Sequence, residues 1–94
     1  MEIVKLSDID TDVRKVILEI IATDGPRERK VVEIAKILRK SGVRLVKRRY
    51  VDYLLRPIDE NAARLFHNMF QVHGESELAL FCEERPELCE LVLL

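Results

Sequence analysis

The side chains with the clearest chemical bias in this chain are cations crowded into its middle third. Between Arg27 and Arg56 stand 11 Lys and Arg against 3 Asp and Glu, a local charge of +8. Residues 1–26 carry −3 and residues 57–94 carry −6, so the formal charge of −1 conceals a basic segment between acidic flanks. Clustered Lys and Arg displace condensed counterions from a phosphate backbone, which makes nucleic acid the first partner to consider. The plain alternative is that these charges solvate the outer faces of two helices.

Other reactive side chains are sparse. His67 and His73 stand six apart on one helical pattern, where chelation wants i, i+4. His73 falls on the apolar stripe with Phe66, near a helix C-terminus that favours a cation. Cys82 and Cys89 have no second pair with which to build a zinc site. They read as two buried thiols, with a disulfide or redox pair as the alternative. Asp8, Asp10 and Asp12 alternate, but no glycine turn and no distal Glu completes a calcium loop; helix capping accounts for them. Three glycines build no phosphate loop, and no Ser or Cys sits in a nucleophile motif. No catalytic residue, metal or cofactor is expected, and the chain reads as a non-enzyme.

Ninety-four residues suffice for one small domain over 1–94, with too little core for a deep enclosed active site. The start Met1-Glu2-Ile3-Val4-Lys5 lacks the features of a signal peptide, and no apolar run approaches the roughly 20 residues that span a bilayer. A cytoplasmic, reduced protein without membrane contact is the expectation.

The elements that must carry these side chains read as mainly helical. Residues 2–6 suit a short edge strand or an extended arm. Asp10 and Thr11 are caps for a helix with Val13, Val16, Ile17, Ile20 and Ile21 on its apolar face, stopped at Thr23-Asp24-Gly25-Pro26. A second helix starts near Pro26, buries Val31, Ile34, Ala35 and Leu38, and ends at Ser41-Gly42. A third covers about 45–56 and stops at Pro57. Asp59 caps a fourth, with Ala62, Leu65, Phe66, Met69 and Phe70 at helical spacing, closed by Gly74. Ser76 caps a fifth helix carrying Leu78, Phe81 and Cys82, and Pro86 opens a sixth carrying Leu88, Leu91 and Val92. Alternatively, 77–84 and 87–94 are two strands joined at Arg85-Pro86. The fold class expected is mainly α: a small helical domain with a three-helix, helix-turn-helix core over 13–58 and C-terminal helices over 59–94. A short N-terminal strand and a late β-hairpin wing are possible additions.

Glu33-Ile34-Ala35-Lys36-Ile37-Leu38, followed by Val46, Val51, Leu55 and Ile58, resembles the core of the winged-helix and helix-turn-helix DNA-binding superfamily. The likeness covers about half the chain. Ala35 takes the place of the family's small inter-helix residue, and Val46 to Ile58 that of the apolar anchors of its recognition helix. The resemblance implies a small transcription regulator that contacts duplex DNA through residues 27–56.

The residues themselves give that reading a geometry. A third helix with Val51, Leu54, Leu55 and Ile58 inward turns Arg49, Tyr53 and Arg56 outward. Arg44, Lys47 and Arg48 then lie at or before its first turn, within reach of phosphates. Lys30, Lys36, Arg39 and Lys40 on the second helix straddle the neighbouring backbone. The expected nucleic-acid-binding set is Lys30, Lys36, Lys40, Arg44, Lys47, Arg48, Arg49, Tyr53 and Arg56. The apolar surplus of the C-terminal segment serves either intrachain burial or a homodimer, and a homodimer through that segment is the expectation. Two rivals stand beside DNA: a protein-interaction module whose basic face meets an acidic partner, and RNA binding with Tyr50 and Tyr53 stacked on bases.

Overall fold

In the computed structural model, which describes residues 1–94, four helices share a core with a three-stranded antiparallel sheet. The elements are β1 (Glu2–Lys5), α1 (Thr11–Ala22), α2 (Arg27–Lys40), β2 (Tyr53–Pro57), α3 (Glu60–Met69), α4 (Glu75–Glu84) and β3 (Cys89–Leu93). Two 3₁₀ turns, Leu6–Asp8 and Pro86–Leu88, lead out of β1 and into β3. The sheet order is β1-β3-β2. One core of 20 buried residues runs from Val4 to Leu93 and draws on every helix and strand.

The first two helices form where apolar spacing asks for them. Ile17, Leu18 and Ile21 are the buried residues of α1, and Val16 is exposed, so the inner face is rotated slightly from the expected one. Val31, Ile34, Ala35 and Leu38 are the buried face of α2, as their spacing requires. The stop after α2 has a definite mechanism. Gly42 adopts φ 85°, its N–H donates to the Arg39 carbonyl at 3.1 Å, and the Val43 N–H donates to the Leu38 carbonyl at 3.0 Å. That pair of hydrogen bonds is the Schellman closure, and its left-handed residue favours glycine. Further on, the Asp59 carboxylate caps α3 by accepting from the Ala62 N–H at 2.8 Å.

The third helix expected over 45–56 is not formed. Residues 43–52 cross the surface as an irregular loop, and Tyr53–Pro57 is a strand paired with β3. The reason lies in the pairing with β3, with which the burial pattern and the charge agree. Tyr53 and Leu55 are buried while Leu54 is exposed, an alternation that only a strand satisfies. A helix would also stack Arg44, Lys47 and Arg48 at i, i+3 and i+4, where like charges destabilise it. With the third helix gone, α1 and α2 form a helix pair that lacks a recognition helix.

The C-terminal segment departs from expectation too. Gly74, not Ser76, precedes α4, and Pro86 opens a single 3₁₀ turn in place of a sixth helix. The pair of strands offered as an alternative is half realised: 75–84 is helical, and Cys89–Leu93 is the central strand. There is no late hairpin wing, because β3 pairs with β1 and β2 (Ile3↔Val92↔Leu54) and not with a neighbour in sequence. All five residues of β3 are buried. Leu91, Val92 and Leu93 of the apolar tail that suggested a homodimer are therefore buried inside the fold, and Leu94 stays partly exposed. Cys82 and Cys89 are joined as a disulfide, with Cα atoms 5.7 Å apart, so neither is the free thiol expected. No helix is long and apolar enough to cross a membrane.

Candidate nucleic-acid interface

Three of the 11 cations in the basic segment are taken up by the fold. Arg27, at the start of α2, donates Nε–H to the Asp52 carboxylate at 2.6 Å and Nη1–H to Glu75 at 3.3 Å. Its guanidinium also lies over the Tyr53 ring, 4.1 Å from the centroid, and donates to the Tyr53 carbonyl. Lys30 donates to the Ile21 carbonyl at 2.9 Å and stands 3.8 Å from Glu75. Arg56 meets Glu90 of the central strand through Nε at 2.8 Å and Nη2 at 2.7 Å. These pairs tie α2, α4 and β2 together; partly exposed, each is worth little alone.

The other eight cations, Arg29, Lys36, Arg39, Lys40, Arg44, Lys47, Arg48 and Arg49, are exposed, and none has a carboxylate within ion-pair distance. All of them stand on α2 or on the loop that follows it. Four converge: Lys36, Arg39, Arg48 and Arg49 line a groove of about 250 Å³ together with Val31, Val32, Ala35 and Tyr50. No acidic residue lines this groove. Arg44 lies apart, in a cleft shared with Glu2 of β1 and Asp8 of the first 3₁₀ turn, and Lys40 sits at the C-terminal end of α2 near Glu33.

The loop is held in place from two sides. The Glu2 carboxylate on β1 accepts from the Tyr50 hydroxyl and from the Val46 N–H, the latter at 2.7 Å. The Tyr50 hydroxyl in turn accepts from the Lys47 N–H at 3.0 Å. From α2, Arg39 donates to the Lys47 carbonyl and lies 5.9 Å from the centroid of the Tyr50 ring. The Tyr50 hydroxyl, and after it the Val46 N–H, keep the Glu2 carboxyl below its ordinary value against the opposing effect of burial. Burial first, then the bond to Glu2, raises the Tyr50 phenol above its usual value.

The sequence-predicted residues therefore divide. Lys36, Arg48 and Arg49 meet at the groove, whereas Lys40, Arg44 and Lys47 are exposed but do not line it. Lys30 and Arg56 are engaged in ion pairs. Tyr53 is not a contact residue at all: it is 1% exposed, its hydroxyl donates to Glu75 at 3.1 Å, and its ring lies under Arg27. Burial, then the Glu75 charge, pushes its phenol up to about 12. Its correction follows from the strand: an odd position of β2 points into the core, whereas the helix would have turned it outward. Glu2 and Tyr50, which fix the loop, carried no signal in the basic segment's composition; Glu2 lies 48 residues away from Tyr50 along the chain.

A comparison with protein-family models, with curated proteins and with solved structures finds no match to this chain.

Proposed function

We propose that this protein binds nucleic acid through the groove between α2 and the loop 43–52, by contacts to the phosphate backbone. The observation that carries the reading is the partition of the 11 cations: three are neutralised by the fold, while eight are left unpaired on one contiguous stretch of structure. Exposed cations on neighbouring elements repel one another only weakly in water, but together they set up a positive potential that draws a polyanion to this face. Lys36, Arg39, Arg48 and Arg49 are the central phosphate contacts of this proposal, with Lys40, Lys47 and Arg44 at its margins.

Duplex is favoured over single-stranded partners. Binding of single strands and of RNA loops relies on exposed aromatic rings that stack on bases. Tyr50 and Tyr53, the aromatic residues of the basic segment, are 5% and 1% exposed. Base-specific readout has no recognition helix to carry it, so the contact is made to the backbone and is indifferent to sequence.

Fluorescence anisotropy with a random-sequence duplex at about 50 and 200 mM salt tests this. If about five phosphates are neutralised, affinity falls by roughly 10²–10³-fold between the two conditions. Replacing both Arg48 and Arg49 by Glu abolishes binding and leaves the melting temperature close to the parent's, because both side chains are exposed. Undiminished binding by the folded double variant refutes the site. A parent chain that ignores duplex at the lower salt while capturing an acidic protein returns the face to protein recognition.

A further inference from the structure

We infer that Glu2, acting through Tyr50, is a positioning residue for the phosphate-binding loop: its acceptor oxygen strengthens the binding of an anion although its charge opposes it. This inference rests on the proposed function and extends it to a residue outside the basic segment.

The geometry makes Glu2 one half of a clip. Its carboxylate oxygen accepts from the Tyr50 hydroxyl and the Val46 N–H, while the same hydroxyl accepts from the Lys47 N–H. Arg39 closes the other half from α2, on the Lys47 carbonyl. Between these anchors run Lys47, Arg48 and Arg49. The loop has no ladder of its own here: residues 46–50 contribute no backbone–backbone hydrogen bond outside helices and strands, and the next is the Val51 N–H to the Leu94 carbonyl at 2.7 Å. Side-chain bonds from Glu2 and Arg39, together with the Tyr50 ring buried in the core, thus hold this stretch at the rim of the groove. Without them three adjacent cations repel, the loop moves away from α2, and the groove loses two of its four charges. A binding site that is assembled only part of the time binds with an affinity reduced by that fraction.

Charge and position predict opposite signs, which makes the inference testable. Glu2→Ala and Glu2→Gln each remove one negative charge beside a cationic face, so electrostatics alone tightens binding equally in both. The clip distinguishes them, because the Gln amide retains an oxygen that accepts from Tyr50 and Val46, and Ala retains none. Anisotropy titrations with the random duplex are read beside thermal melting and amide exchange of residues 46–49. Glu2→Ala binds about tenfold more weakly with faster exchange, Glu2→Gln stays near the parent or binds more tightly, and Tyr50→Phe, which alters no charge, follows Glu2→Ala. The salt slope of Glu2→Ala is also shallower, since fewer counterions are released.

Equal or tighter binding by folded Glu2→Ala overturns the clip while leaving the phosphate groove standing, and so does parent-like affinity in Tyr50→Phe. If the Ala variant melts below the assay temperature, the Tyr50→Phe chain, which keeps its ring in the core, decides the matter. A parent chain that fails to bind duplex overturns the proposed function and the clip with it.

Discussion

Removing the Cys82–Cys89 disulfide should lower stability by an amount that follows from the length of chain it closes. The bridge joins the last turn of α4 to the first residue of the central strand, across a separation of seven residues that includes the 3₁₀ turn Pro86–Leu88. In the chain-entropy account, a loop this short withholds from the unfolded ensemble about 2.5 kcal/mol at 25 °C. For a domain of this size that corresponds to a fall in Tm of about 10–20 °C. Both cysteines are buried, at 0% and 1% exposure, so reductant reaches the bond only through opening of the fold. The assay therefore reduces the chain in denaturant, refolds it with reductant present, and compares thermal unfolding with that of the oxidised chain. Alkylation of the oxidised protein under denaturing conditions should add no label, and the reduced chain should add two. Uptake of label by the oxidised chain, or melting curves within 2 °C of each other (a bound set by about 0.5 kcal/mol), refutes the reasoning.

Two further outcomes follow from buried or constrained groups. The Tyr53 phenol is held up at about 12 by burial and by Glu75, and Tyr50 is raised above its usual value as well. Their neutral forms are thus favoured by folding: the contribution is complete below the unfolded value near 10 and is lost as pH rises through 12. Phenolate absorbance should then appear together with the loss of far-ultraviolet dichroism, and a normal titration near pH 10 in the folded protein would contradict this. Gly42→Ala should cost about 1–2 kcal/mol in denaturant unfolding. A Cβ there meets no atom within 4 Å, so the whole effect comes from the positive φ, and an unchanged midpoint would refute the assignment.

How much of this was legible in the sequence depended on whether a feature was local. α2, the Gly42 stop and the Asp59 cap are written in residues a few positions apart, and the structure has each of them. The edge strand at the N-terminus was also readable, from Ile3 and Val4 between charged neighbours. The third helix failed because Val46, Val51, Leu54, Leu55 and Ile58 fit a helical face and a strand comparably over so short a stretch. What decides between them is β3, which lies more than 30 residues further on and supplies the partner edge for Tyr53–Pro57. The same non-local pairing turned the apolar tail into the centre of the sheet. The disulfide was hidden for a related reason. On one unbroken helix the two cysteines would share a face, but the bridge is made between a helix end and a strand, which spacing alone does not specify. Among the binding residues, the cations were visible as composition, whereas their division into eight unpaired and three neutralised required the positions of Asp52, Glu75 and Glu90.

That division also explains why a chain of net charge −1 presents a cationic face. Asp52 and Glu75 draw Arg27 into the junction of α2, β2 and α4, and Glu90 draws Arg56 across the sheet. The acids of the flanks are spent on the fold or exposed elsewhere, and none lines the groove that Lys36, Arg39, Arg48 and Arg49 share. Glu2 is the exception that supports the rule: it approaches the basic loop, but its oxygen is turned to the Tyr50 hydroxyl and to a backbone N–H, and it pairs with no cation. A carboxylate in that role fixes the backbone that carries the cations without forming an ion pair with any of them. The repulsion left among the unpaired cations remains available to an incoming phosphate backbone, which relieves it as it releases counterions.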